Sequence, residues 1–298
     1  MGDLFLVARP GAYSTIQDLG RYGYQDLGVP VSGVLDQFAA RTANLLLGNP
    51  ESAAVLECTV IGPTLTVLRD AVLAVTGADM EIRLNNTSLP VWSRFLARAG
   101  DTLQFRQVTK GCRMYLAVSG GFDVPVIMNS RSTCVSGGFG GLQGRPLQKG
   151  DTLAAHDGPG STVSELTLSS DLVPAYGSRT ELRVLPGPQD SLFTQQGMET
   201  LFESAFTVSP KANRMGYRLE GPEVVRDPEA AQSIISEPSL PGNIQVPADG
   251  QPIILLVEQT VGGYTKIATV ISADIPRLAQ AVPGDTIYFQ QVTLPEAH

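Results

Sequence analysis

Apolar residues fall mostly in short runs of β character, broken at regular intervals by turn residues. Such runs cover Leu4–Arg9, Ala53–Thr59, Thr64–Val67, Val72–Thr76, Thr102–Phe105 and Met114–Val118, and then Glu181–Leu185, Phe206–Val208, Ile253–Val257 and Thr286–Phe289. Gly-Pro, Asn-Asn, Gly-Asp and Gly-Gly pairs punctuate them, the pattern of an antiparallel barrel or sandwich. One segment breaks the pattern. From Asp36 to Leu47 the spacing predicts a helix with Phe38, Thr42, Leu45 and Leu46 on one stripe, Asp36 as N-cap and Gly48-Asn49-Pro50 as stop. Shorter helices are predicted at Asp190–Phe202, interrupted by Gly197, and at Pro276–Ala281. The expected fold is mainly β with a few short helices.

Between about His156 and Arg179 the text turns polar and rich in Gly, Pro and Ser, which reads as a linker. The expected division is therefore a first domain over 1–155 with one inserted helix, a linker over 156–179 and a second domain over 180–298. The halves echo each other. Gly100–Thr109 and Gly284–Thr293 share seven of ten residues, and Arg21-Tyr-Gly-Tyr24 is echoed by Arg214-Met-Gly-Tyr217 upstream. The arginine-to-aspartate spacing is 80 residues in the first half and 71 in the second. Two related barrel domains follow. The competing reading is turn chemistry, because Gly150-Asp-Thr-Leu153 repeats the same opening a third time.

With 298 residues, 43% hydrophobic and 17% charged, the chain has ample material for buried cores. Twenty-one Lys plus Arg stand against 29 Asp plus Glu, a net charge of −8 with no basic run, which disfavours nucleic acid and anionic membrane as partners. Three scattered cysteines, Cys58, Cys112 and Cys134, fit reduced thiols in a cytoplasmic protein, and they have no metal-ligand spacing. No run of eighteen apolar residues occurs. The two histidines, His156 and His298, lie in linker and tail, so acid–base chemistry falls to Asp, Glu, Tyr or Lys.

The densest candidate chemistry is Ser130–Arg145, with five glycines, two arginines and the hydroxyls of Ser132 and Thr133 in sixteen residues. Glycines at 137, 138, 140 and 141 suit a backbone nest for an anion, flanked by the planar cations Arg131 and Arg145. A Gly-rich connection that binds nothing is the alternative, and Gly-x4-Gly-Lys-[Ser/Thr] is absent. In the second half, Gln259-Thr-Val-Gly-Gly-Tyr264-Thr-Lys266 gathers amide, hydroxyl, phenol and ammonium groups suited to a small polar ligand. Arg214–Glu220, which includes Tyr217, alternates polar and apolar positions on a predicted strand. Glu57, inside an apolar run, must be paired or have its ionisation shifted, and Arg21 is a candidate partner. Asp18, Arg21, Ser32 and Asp36 belong to a Gly-rich segment of the kind that carries function on a rigid barrel.

Taken together, Thr15-Ile-Gln-Asp-Leu-Gly-Arg-x-Gly-Tyr24, Gly28-Val-Pro-x-Ser-Gly-x-x-Asp36, Asn129-Ser-Arg-Ser-Thr133, Gly137-Gly-Phe-Gly-Gly141, Gly144-Arg145, Arg214-Met-Gly-Tyr-Arg-Leu-Glu-Gly-Pro222, Ile244-Gln-Val-Pro247 and Gly262-Gly-Tyr264 resemble the biotin-dependent carboxyltransferase family, also called allophanate hydrolase subunit 2. The resemblance implies two tandem cyclophilin-like β-barrels. It also implies a role as the C subunit of an ATP-dependent 5-oxoprolinase, hydrolysing 5-oxoproline to glutamate with a B subunit like allophanate hydrolase subunit 1 and with a further A subunit. ATP with Mg would then be bound by the assembled complex. Two alternatives come with it: carboxyl transfer from carboxybiotin to urea or a similar amide, and a regulatory role antagonising a histidine-kinase inhibitor. The chain has neither a Met-Lys-Met biotinyl acceptor nor a P-loop.

For lactam hydrolysis a site needs cations and N–H donors for phosphate and a developing oxyanion, and a carboxylate base. On this reading the Gly137–Gly141 nest, Arg131, Ser132, Thr133, Arg145, Arg214, Tyr217, Gln259, Tyr264 and Lys266 bind, and Asp18, Glu57 or Asp36 is the base. One departure stands out: Val257-Glu258 precedes Gln259-Thr260 where relatives usually carry Asp-Arg.

Overall fold

The computed structural model describes residues 2–158, 165–230 and 233–298. It divides into two compact units, Met1–Tyr22 with Ser32–Tyr176, and Gly23–Val31 with Gly177–His298. Two boundaries differ from the sequence expectation. The segment Gly23–Val31 belongs to the second unit. The supposed linker, as far as it is described, belongs largely to the first: Leu166–Thr167 forms a strand antiparallel to Ser93–Ala97, pairing Leu166 with Arg94. Part of that expected linker, 159–164, lies outside the described residues.

The first unit is a ten-stranded sheet. Its main path runs Leu166–Thr167, Ser93–Ala97, Ala71–Leu84, Thr102–Val118, Thr64–Val67, Gly2–Arg9, Thr152–Ala155, and a branch runs from Thr102–Val118 through Val55–Thr59 to Tyr13–Gln17. The two strands expected at Thr102–Phe105 and Met114–Val118 are one strand of 17 residues. Its polar middle, with Gly111 at φ 81°, hides the continuity from a hydrophobic-run reading.

Alternation along these strands sorts the side chains between two cores. Leu73, Val75, Met114, Leu116, Leu56 and Cys58 face a cluster with Leu4, Phe5 and Phe122. Val72, Ala74, Tyr115, Ala117 and Val55 face the helix Gln37–Leu46. That helix buries Ala39, Ala40, Thr42, Ala43, Asn44 and Leu46 against the sheet, while Phe38 and Leu45 of the predicted stripe are exposed. Alanines let the helix approach closely, and Phe38 instead stacks outside on Trp92, with ring centroids 5.9 Å apart.

The second unit closes as a seven-strand barrel: Arg179–Pro186, Thr265–Val270, Asn243–Val246, Ile253–Leu255, Gly216–Glu220, Phe206–Val208, Thr286–Gln291. Closure is through a parallel pairing of Arg179–Pro186 with Thr286–Gln291. The helix Gln195–Glu203 is capped by Thr194, and Gly197 is required there because a Cβ would meet Val225 O at 2.1 Å. A two-stranded ribbon, Glu237–Pro238 with Val261–Gly262, forms a separate small sheet beside the barrel.

The echoed Gly-Asp-Thr is a turn used three times. Asp101, Asp151 and Asp285 each accept the N–H three residues back, from Arg98, Gln148 and Val282, at 2.7, 2.7 and 2.9 Å. Each preceding glycine has φ near +90° and donates to a neighbouring strand, at Val67, Val7 and Val208. The second echo is not equivalent in place, since Tyr217 lies on a barrel strand while Tyr24 precedes the short turn Gln25–Leu27. No helix among the described residues is long and apolar enough to cross a membrane.

Candidate functional site

The loop after Ser130 is tied to the end of strand Tyr13–Gln17. The Thr133 N–H and hydroxyl both donate to Ile16 O, at 2.9 and 2.8 Å. The next side chain, Asp18, gathers the loop. It accepts from the Ser130 hydroxyl at 2.7 Å, the Ser132 hydroxyl at 2.5 Å, the Arg131 N–H at 2.6 Å and the Gly20 N–H at 2.9 Å. Oδ1 takes three of these four donors and Oδ2 one, so the carboxylate holds the loop together.

Arg21 is wholly buried under the same loop. Its Nε donates to Ile127 O at 3.0 Å and Nη2 to Ser132 O at 2.8 Å, and it lies 4.9 Å from the Phe139 ring centroid. Burial lowers its pKa, opposed by the nearby Cys134 and Asp18. Its Nη1 and the Nε of Arg131 have no hydrogen-bond partner among the described residues.

The glycines have a geometric reason. A Cβ at Gly140, φ +74°, would meet Ser132 O at 2.1 Å. Three of the five amides of the expected nest are engaged within the loop: the N–H groups of Gly138, Phe139 and Gly141 donate to the carbonyls of Val135, Cys134 and Arg131. Arg145 is tied too, forking onto both Asp151 oxygens at 2.8 Å.

Glu57 and Asp36 meet on the helix side of the sheet. Glu57, 1% exposed, accepts from Leu35 N–H at 3.0 Å and from the Tyr115 hydroxyl at 2.9 Å. Its cationic neighbour is Arg113, at 3.8 Å, in place of the expected Arg21. Tyr115 in turn accepts from Asp36 N–H at 2.8 Å, and its pKa is pushed well above the ordinary phenol value by burial and then by Glu57 and Asp36. Asp36 caps the helix through Ala39 N–H and accepts from the Tyr176 hydroxyl at 3.3 Å. Tyr176 lines a cleft of about 250 Å³ with Trp92, Asp79 and Lys110, so the acid chain ends at the wall of a cleft.

In the second unit, Arg214 donates to Glu258 at 2.7 Å in a buried pair. The departure from the usual Asp-Arg thus supplies a carboxylate to an interior guanidinium. The Tyr217 hydroxyl donates to Ala281 O inside the barrel, the Gln259 amide turns back on Val261 O, and Tyr264 is largely exposed. Lys266, 2% exposed, donates to Glu237 at 2.5 Å, and Gln189 donates to the same Glu237 oxygen at 2.8 Å. The structure therefore joins Asp18 with Arg131, Ser132 and Thr133, and joins Glu57 with Asp36. Sequence reasoning missed Arg113, Tyr115, Tyr176, Gln189, Glu237 and Gln245. Strand alternation opposite Glu57 would have pointed to Tyr115; the others are joined by tertiary pairing alone.

Residues 27–291 match the family described as carboxyltransferase domain, subdomain A and B. The chain belongs to this family. It is 39% identical to the C subunit of 5-oxoprolinase of Escherichia coli (strain K12), over 98% of this chain and 92% of that protein. The structure of K. lactis urea amidolyase superposes with a TM-score of 0.93 at 31% identity, over 100% of this chain and 19% of that one. The structure of TTHA0988 superposes with a TM-score of 0.87 at 36% identity, over 97% of this chain and 55% of that one. This carboxyltransferase-family chain thus spans nearly all of the bacterial relative, just over half of TTHA0988 and under a fifth of the amidolyase.

Proposed function

We propose that this chain is the C subunit of an ATP-dependent 5-oxoprolinase, acting with the A and B subunits in the cytoplasm to open 5-oxoproline to glutamate. The observation that carries this reading is co-extension: the likeness to the E. coli C subunit runs over 98% of this chain and 92% of that one. An unstrained lactam is a weak electrophile, and ATP supplies the activation that makes it hydrolysable. In the loop that the sequence offers for phosphate, three amides are engaged by carbonyls and Arg145 is held by Asp151. ATP and its Mg are therefore assigned to the assembled complex, and no step is routed through this chain's loop. What this chain brings is a pair of rigid units with buried cations and polar groups.

Carboxyl transfer to a urea-like amide is the second reading, supported by the TM-score of 0.93 to the K. lactis amidolyase, and it requires a separate biotinylated carrier. The deciding experiment is glutamate release from 5-oxoproline and ATP by this chain purified with its co-encoded partners, with an otherwise equal reaction lacking the chain. Release that depends on the chain is expected. A stable complex that releases no glutamate removes the reading.

A further inference from the structure

Four residues of the second unit form a closed ring of neighbours. Gln245 and Lys266 are paired across adjacent barrel strands. The Lys266 ammonium reaches Glu237, and Glu237 is paired with Gly262 across the ribbon. Gly262 returns to the start, since a Cβ there would lie 2.3 Å from Gln245 Nε2.

Within this ring Gln245 is 3% exposed and its Nε2 has no hydrogen-bond partner among the described residues. The same is true of the Ser239 hydroxyl, 1% exposed, in the residue following the ribbon strand. A buried amide donor left without an acceptor is unfavourable unless something else accepts from it. Two such groups about one ribbon, beside a buried ammonium, are a ligand's complement.

Glu237 shows what kind of ligand. Its side chain is 38% exposed, yet its carboxylate rests on an ammonium that is 2% exposed. The ribbon that carries it is a ladder of two residue pairs, Glu237 with Gly262 and Pro238 with Val261. An exposed acid on a short ribbon, seated on an interior cation, is an exchangeable carboxylate.

We infer that Lys266 and Gln245 form a binding site for a small carboxylate that also bears an amide carbonyl, with Glu237 occupying the carboxylate position until the ligand replaces it. The ligand's carboxylate takes the Lys266 ammonium, its amide carbonyl accepts from Gln245 Nε2, and the buried Ser239 Oγ would accept from an amide N–H once Glu237 has moved aside. 5-Oxoproline carries all three groups on one ring. Naming it rests on the 5-oxoprolinase reading; the site itself rests on the ring of neighbours.

The test uses the assembled complex with 5-oxoproline as probe, reading KM from glutamate release and binding by equilibrium dialysis. Gln245→Met is expected to raise KM about tenfold, the loss of one hydrogen bond to a neutral donor. Its melting temperature is expected to be unchanged or higher, since the buried amide nitrogen removed has no partner to lose among the described residues. Glu237→Gln is expected to lower KM several-fold by removing the internal rival for Lys266. The lactam 2-pyrrolidinone, which lacks the carboxylate, is expected not to compete. Turnover with a KM indifferent to both variants overturns the site and leaves the functional reading standing. No turnover, with saturable 5-oxoproline binding that Gln245→Met weakens, overturns the reading and leaves the site. Neither turnover nor binding overturns both.

Discussion

Asp18, just past a strand of the first unit, and Lys266, on a barrel strand of the second, are both buried charges, satisfied in opposite ways. Asp18 is met by two hydroxyls and two backbone N–H groups, all from residues locked into the fold. Lys266 is met by one carboxylate, on a side chain that is 38% exposed. Neutral donors fixed by backbone hydrogen bonds cannot leave without unravelling the loop, whereas a half-exposed counter-ion can exchange. The difference separates architecture from recognition more sharply than residue type does. By type alone Asp18 is a candidate base and Lys266 a candidate anion-binding group; by partner Asp18 is a knot and Lys266 a seat.

The comparison is broken most directly at the knot. Asp18→Ala leaves two buried hydroxyls and two partly buried N–H groups without their acceptor, and should destabilise the first unit by about 4 kcal/mol, near the top of what single substitutions do. Trp92 is the sole tryptophan and lies in that unit, so its fluorescence in a urea titration reads this transition alone. A loss below about 1 kcal/mol would mean the loop is organised by something other than Asp18.

Next in size is Glu258→Ala, which removes the carboxylate from Arg214 in a pair whose side chains are 5% and 10% exposed. Breaking a buried pair from one side costs about 3 kcal/mol, because a buried charge remains. The loss should appear in far-ultraviolet circular dichroism of the second unit and leave the Trp92 transition in place. Glu258 then behaves like Asp18, a fixed partner, and contrasts with Glu237 in the same unit. If Glu258→Ala and Glu237→Gln destabilise equally, exposure of the counter-ion is not what distinguishes them.

How far the chain could be read in advance follows the same division. Local chemistry was legible: Asp36 caps its helix through Ala39 N–H, and Gly-Asp-Thr makes the same turn at each of its three occurrences. The triple use of that turn also means that part of the identity between the two halves is turn chemistry. The helix face was misjudged because Phe38 and Leu45 are large and apolar, while packing against a sheet favoured the alanines between them. The loop at Ser130–Arg145 was picked out as a unit, and Asp18 as chemically active, but nothing local says that they bind each other across 112 residues of chain. Lys266 was visible; Glu237, 29 residues away, and the partnerless Gln245 were not, because an unsatisfied donor is defined by what surrounds it.

The smallest effect discriminates most finely. Lys266 first, and then Gln189, hold the Glu237 carboxyl below the ordinary carboxylate range. A depressed folded value means the pair's contribution is fully present above the unfolded carboxyl value, about 4.3, and is lost as pH falls through the lower folded value. Solvent screening of a side chain this exposed keeps that contribution under about 1 kcal/mol. Thermal melts of the wild type and Glu237→Gln should therefore differ slightly and constantly above pH ~5 and converge as the pH is taken below ~4. Added salt should shrink the difference at neutral pH. Bound ligand carboxylate should do the same, because it takes the ammonium from Glu237 and leaves that side chain in solvent in both proteins. If the difference persists unchanged when ligand saturates the complex, Glu237 is a structural partner of Lys266 like Glu258 of Arg214, and the contrast between the two acids of the second unit disappears.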